Sequence, residues 1–199
     1  MTIKKRIPPR ERILAAASDL FHRQGIRGVG VEAIAAAART NKMALYRHFE
    51  SKDALVAEWL RRLTGQAYAM WDQIAAAHPV DARAQLVAWF RMVAGKMGCP
   101  GERGCPFANA LAELPDKGHP ARRVIEAHKL RQRDRFAQLC REAGIRKAEF
   151  VADELIFLLE GAQVSAQSIG PQVVRERLLR MAEALLAANT AEPKREINN

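Results

Sequence analysis

Cysteine is scarce in this sequence, with three in 199 residues. So small and odd a number cannot build a disulfide framework, which fits a reducing compartment. Nowhere does an apolar stretch approach the roughly 18 uninterrupted residues that a membrane helix requires. The opening residues Met1-Thr2-Ile3-Lys4-Lys5-Arg6 are basic but lack the apolar core and cleavage site of a secretory signal. Together these absences lead us to expect a cytoplasmic protein. Strand signals are missing as well: no run alternates β-branched with polar residues, and no Asn-Gly or Asp-Gly pair marks a hairpin. There is no Ser/His/Asp arrangement, phosphate-binding glycine loop or paired carboxylate site, so neither an enzyme nor a cofactor is expected.

What is present is apolar bulk and positive charge. Hydrophobic residues make up 49% of the chain, enough for a substantial core. The formal net charge is +10 and is unevenly spread. Residues 1–62 carry 13 Lys/Arg against 6 Asp/Glu, a net +7; the remaining residues carry only +3. A positive field gathered in the first third suits a polyanion such as nucleic acid, although a solubilising surface has the same composition.

Alanine-rich segments carry apolar residues at helical spacing throughout. A first helix opens around Pro8-Pro9, places Ile13, Ala17, Leu20 and Phe21 on one face and stops at Gly25. Two short helices follow, about Val31–Ala38 and Lys42–Phe49, the second capped by Asn41. A long fourth helix is capped by Ser51 and runs towards Ala77, before His78-Pro79. Asp81 caps a fifth that ends near Gly98. Further helices are predicted over about Pro106–Glu113, Pro120–Ala143, Ala148–Ser168 and Pro171–Ala188. The tail from 189 is polar and expected to be disordered. The fold class is therefore all-α, with about nine helices.

Two helices of seven or eight residues joined by a tight turn are too short to stand alone. The pair makes mechanical sense if its second member must fit a DNA major groove. Its outer face would carry Lys42, Met43, Ala44, Arg47 and His48, with Leu45 and Phe49 anchoring it inward.

The residues Val31-Glu32-Ala33-Ile34-Ala35, Asn41-Lys42-Met43-Ala44-Leu45-Tyr46-Arg47-His48-Phe49 and Ser51-Lys52-Asp53-Ala54-Leu55 resemble the DNA-binding domain of TetR-family regulators. The match is dense over residues 9–60, and the helix count extends it to the whole chain in layout. The resemblance implies that Lys42, Met43 and Ala44 approach base edges. It also implies that Tyr46 meets a phosphate, with His48 in the same backbone-contact region. Lys52 would add a phosphate contact at the start of the fourth helix, and the arm Lys4-Lys5-Arg6 would reach along the DNA. The sequence departs from the family at Val29 and Gly30, where Thr or Ser is common. It departs again at Arg39, where the turn commonly has glycine. Gly30 and Val31 at the second helix, and Arg39 and Thr40 in the turn, complete the DNA-facing set.

In the rest of the chain, Trp59, Tyr68, Trp71, Trp89, Phe107 and His128 are candidates to line an effector pocket, which the family implies. Residue by residue, ordinary core packing is the simpler reading. Leu155, Leu158, Ala162, Ala166, Leu178, Met181 and Leu185 on the last two helices read as a homodimer interface built like a four-helix bundle. Cys99 and Cys105 flank a glycine-bearing loop and offer a redox-sensing alternative. With His119 they hint at metal, yet no close CxxC or His-rich spacing completes such a site, and none is expected.

The domains read as residues 1–50 for DNA binding, 51–188 for effector binding and dimerisation, and 189–199 as tail. The function read from them is a ligand-responsive repressor of palindromic operator DNA, relieved by an unknown small-molecule effector that tilts the fourth helix. The rival readings are the redox sensor and a ligand-independent DNA-binding protein.

Overall fold

The computed structural model describes residues 7–99 and 101–190. The basic arm at residues 4–6 and the tail beyond 190 lie outside the described residues.

Among the described residues the chain forms nine helices and no strand; Ile145 and Thr190 share a lone bridge. Helix α1 (Pro9–Gln24) starts at proline, whose missing N–H costs nothing in a first turn. It ends at Gly25, with φ +79°, whose N–H donates to the Phe21 carbonyl at 3.0 Å. The positive φ favours glycine there, and a Cβ would lie 2.8 Å from the Glu113 carboxylate, which would have to shift. Helices α2 (Val31–Ala37) and α3 (Lys42–His48) are seven residues each, and α4 (Lys52–Ala77) is 26. The remaining elements are α5 (Ala82–Lys96), α6 (Pro106–Glu113), α7 (Pro120–Glu142), α8 (Ala148–Ile169) and α9 (Pro171–Ala188). Asp81 caps α5 by accepting the Ala84 N–H at 2.8 Å, and proline opens α6, α7 and α9. These bounds lie within a residue or two of those predicted from periodicity and caps, as helix ends usually do.

Packing groups the chain differently from chain order. One compact unit runs to Ala67 and takes in Cys105–His128; the other comprises Tyr68–Gly104 and the chain from Lys129 on. The first unit has one apolar core, in which Ile13, Phe21, Ile34 and Leu45 meet Leu55, Trp59 and Leu60 of α4. Phe107, Ala110, Leu114, Ala121 and Ile125 of α6 and α7 join them. Three short helices cannot bury enough surface alone, so residues more than fifty positions away complete the core.

In the second unit α8 packs on α9 and α9 on α5. Trp71 and Trp89 stack with ring centroids 4.0 Å apart, and Phe136 meets Trp71 edge-on at 5.6 Å. Arg133 grips Asp153 with two hydrogen bonds, of 2.6 and 3.1 Å, tying α7 to α8. Arg175 on α9 donates to the carbonyls of Ala94 (2.7 Å) and Gly95 (3.0 Å), adding donors to the last turn of α5 and tying α9 to it. No helix among the described residues is long and apolar enough to cross a membrane.

Candidate nucleic-acid interface

The first unit holds α3 by its apolar side and by its ends. Leu45 is fully buried and Phe49 is 4% exposed, so two anchors four residues apart fix one face inward. The opposite face carries Lys42, Met43, Tyr46, Arg47 and His48, all exposed, with Ala44 half-buried. Met43 (69%) and Tyr46 (42%) are large apolar groups left in solvent, which a monomeric surface gains nothing by displaying. Asn41 caps the helix as expected, its Oδ1 accepting the Ala44 N–H at 2.9 Å.

The turn before α3 is closed by a Schellman pair. The Thr40 N–H donates to the Ala35 carbonyl at 2.9 Å, and the Arg39 N–H donates to the Ala36 carbonyl at 3.0 Å. Arg39 itself takes φ +53°, the left-handed conformation the position demands. The turn is thus not remodelled around the missing glycine, and the non-glycine residue bears a cost of about 1–2 kcal/mol. The α2 end is held from outside by Arg12, whose Nε donates to the Ala38 carbonyl at 3.1 Å.

At the other end of α2, Gly30 is the N-cap with extended backbone and no side-chain cap bond. Val31 and Thr40 are half-buried and Gly30 is exposed. Glu32, in the first turn, accepts a hydrogen bond from Lys42 Nζ at 2.7 Å. That bond, with a further one from its own backbone N–H, holds the Glu32 carboxyl below the usual carboxylate range. The same bond raises Lys42. Arg39, Arg47 and His48 have no carboxylate partner among the described residues. Arg47 donates to the Met43 sulfur at 3.6 Å.

One expected DNA contact already has a partner within the chain. Lys52 is half-buried, and its ammonium donates to the Ile26 carbonyl at 2.7 Å, fastening the start of α4 to the loop after α1. It serves the scaffold because the loop carbonyl is the acceptor within reach. Other supports had no local signal at all. Glu113, at the end of α6, accepts the Arg27 N–H at 2.8 Å, a contact spanning 86 positions. His119 is buried, its Nε2 3.3 Å from Asp53 and its Nδ1 accepting the Ala121 N–H at 3.1 Å. Periodicity reports only neighbours along a helix, so neither contact could be read from spacing.

The pocket candidates divide between the units. Trp59, Phe107 and His128 belong to the first, where Trp59 meets Phe21 at 5.3 Å and Phe107 stacks on His128 at 3.8 Å. Tyr68, Trp71 and Trp89 belong to the second, where Arg131 sits 4.1 Å above the Tyr68 ring. All six make ring contacts within their own units. The two sulfur groups also separate: Cys99 is an exposed residue of the second unit, Cys105 a buried one of the first. Among the described residues no three His, Cys, Asp or Glu side chains gather as a metal site.

The interface candidates differ in exposure. Leu155, Ala162 and Leu178 are buried inside their own chain, where α8 and α9 pack on each other. Leu158, Ala166 and Leu185 are half-buried, and Met181 is 55% exposed. The large apolar groups these helices turn to solvent are Phe150, Phe157, Val164, Ile169 and Val173, with Met181. Phe157 is 74% exposed, whereas Leu155 two positions earlier is sealed.

Two family models match the sequence: bacterial regulatory proteins of the tetR family over residues 13–59, and a tetracyclin repressor-like C-terminal domain over residues 80–182. A TetR-family transcriptional regulator from Streptomyces coelicolor is 31% identical, with a TM-score of 0.87 over 92% of this chain and 96% of that one. A tetR-type regulator structure from Streptomyces avermitilis is also 31% identical, with a TM-score of 0.81 over 92% and 98%. Among curated proteins, the HTH-type transcriptional regulator YjdC of Escherichia coli is 26% identical over 152 residues, covering 76% of this chain and 80% of that protein.

Proposed function

The chain belongs to the tetR family of bacterial regulatory proteins and is a transcriptional regulator rather than an enzyme; from that premise we propose that it is a cytoplasmic repressor which binds a palindromic operator as a homodimer and leaves it when a small-molecule effector binds. The observation that carries this reading is α3. Its seven residues put Lys42, Met43, Tyr46, Arg47 and His48 outward while Leu45 is fully buried. An α-helix fits the major groove, about 12 Å wide, and such a face can read it.

Lys42, Met43 and Ala44, at the start of α3, meet base edges. Met43 and Ala44 suit the thymine methyl, and Tyr46, Arg47 and His48 take the flanking phosphates. Arg39 and Thr40 in the turn, with Gly30 and Val31 at the start of α2, approach the backbone. One such helix makes few contacts, which favours two heads on half-sites about 34–36 Å apart. The second copy comes through the solvent-facing apolar groups of α8 and α9, Phe157 and Met181 foremost.

Release works through α4, a single helix from Lys52 to Ala77 that carries both Trp59 and Trp71. An effector that prefers one setting of α4 shifts the population away from the DNA-competent one. The candidates for its contacts are Tyr68, Trp71 and Trp89 in the second unit or Trp59, Phe107 and His128 in the first.

The test is selection of bound fragments from genomic DNA by the purified protein, followed by gel shifts on the fragments recovered. A shared palindrome protected as two half-sites supports the reading. Retention of all fragments alike, weakening uniformly with salt, replaces it with a ligand-independent DNA-binding protein.

A further inference from the structure

Glu32 is a carboxylate on the helix-turn-helix motif beside the cation expected to reach DNA first. Its position has a local cause. Gly30 supplies no side-chain cap for α2, and the Glu32 carboxylate turns back towards it, its Oε2 3.6 Å from where a Cβ on Gly30 would sit. An acidic group in a helix's first turn is favoured by the dipole. That posture leaves Oε1 free to accept from Lys42 Nζ at 2.7 Å, ten positions on and one helix away. Both side chains stay open to solvent, at 68% and 56% exposure, so the pair adds little to folding and breaks at little cost.

Resting on the DNA-binding role of α3 proposed above, we propose that Glu32 is a specificity-determining residue: it occupies the Lys42 ammonium, so that Lys42 engages DNA only where a base edge competes with the carboxylate. The physical contrast lies between two kinds of acceptor. A phosphate on generic DNA offers a charge that Lys42 already has from Glu32, while Glu32 itself is repelled by the polyanion. A correctly placed guanine edge offers directed acceptors in the groove, worth about 1–3 kcal/mol of discrimination. On random sequence Lys42 therefore gains little by leaving Glu32 and releases little counterion. Arg39, Arg47 and His48 have no carboxylate partner among the described residues and supply the sequence-independent attraction. The pairing lowers background binding and widens the gap between operator and bulk DNA.

The experiment needs no operator. The full-length protein and its E32Q, K42M and E32Q/K42M variants are titrated with a random-sequence duplex pool across a range of salt concentrations. E32Q keeps an oxygen for its own N–H, and an unchanged thermal midpoint and helical spectrum verify the fold. With Lys42 released, E32Q should bind the pool roughly three- to tenfold more tightly. Its plot of log affinity against log salt should steepen by about 0.9 per head, the value of one added phosphate contact. K42M alone bares the Glu32 carboxylate and should bind the pool more weakly than the wild type, and E32Q/K42M should lose most of the E32Q gain. An E32Q slope equal to wild type overturns the proposal. So does a gain that survives in the double variant, since Glu32 would then act by plain repulsion. Salt-independent or absent binding by the wild type would instead remove the DNA-binding reading itself.

Discussion

In α3 Leu45 is sealed while Met43, Tyr46 and Arg47 lie in solvent; in α8 Leu155 and Leu159 are sealed while Phe157, between them, is 74% exposed. Both helices divide into an inner and an outer face, yet the division is legible from residue type in only one of them. Seven residues make barely two turns, and α3 has one leucine and one flanking phenylalanine to bury, with the charged or polar Lys42, Arg47 and His48 among the groups left outside. The 22 residues of α8 include Phe150, Val151, Leu155, Ile156, Phe157, Leu158 and Leu159, which satisfy several helical faces at once. Hydrophobicity chooses a face only when the other face lacks it. Where every side is apolar, the neighbours choose.

The sharpest way to break this comparison is to empty each inner face. Leu45→Ala and Leu155→Ala each remove a fully buried side chain and should cost about 2–5 kcal/mol in denaturant unfolding. Phe157→Ser removes a larger group from solvent and should leave monomer stability within about 0.5 kcal/mol. It should instead shift the proposed homodimer towards monomer in sedimentation. A Phe157→Ser loss as large as that of Leu155→Ala would mean that the faces of α8 have been assigned the wrong way round.

A smaller effect tests how α3 is fixed. Asn41→Ala removes the acceptor for the Ala44 N–H and should lower stability by about 1 kcal/mol. Affinity for DNA should fall with it, because the frayed turn carries Lys42 and Met43. Unchanged DNA affinity would show that Leu45 and Phe49 hold the helix without its cap.

The mildest probe is chemical. Burial pushes the Cys140 thiol up to about 11, so its reactive thiolate becomes abundant only as pH approaches that value. Cys99 is exposed. Alkylation at neutral pH, read by peptide mass mapping, should label Cys99 first and leave Cys140 until denaturant is added. Equal labelling would reveal local opening of the second unit. Insensitivity of DNA binding to peroxide after Cys99 and Cys105 are replaced by serine, with the wild type equally insensitive, would remove the redox reading.

Much of the candidate site was readable because it is built from local rules. The Asn41 cap, the left-handed turn at residue 39 and the inward pair Leu45 and Phe49 each depend on residues within four positions. Lys52 and Glu32 were not readable, because each is settled by a partner ten or more positions away: the Ile26 carbonyl for one and the Lys42 ammonium for the other.

Helix number, helix limits and the outward face of α3 follow from the chain alone, since caps, prolines and apolar spacing act over single turns. The membership of the first unit's core, the support that Glu113 and His119 lend to the DNA-binding head, and the split of the aromatic groups between two units were decided only by folding. The reason is range: a hydrogen bond or a buried face forms with whatever the tertiary structure brings near, and proximity across 86 residues leaves no periodic trace.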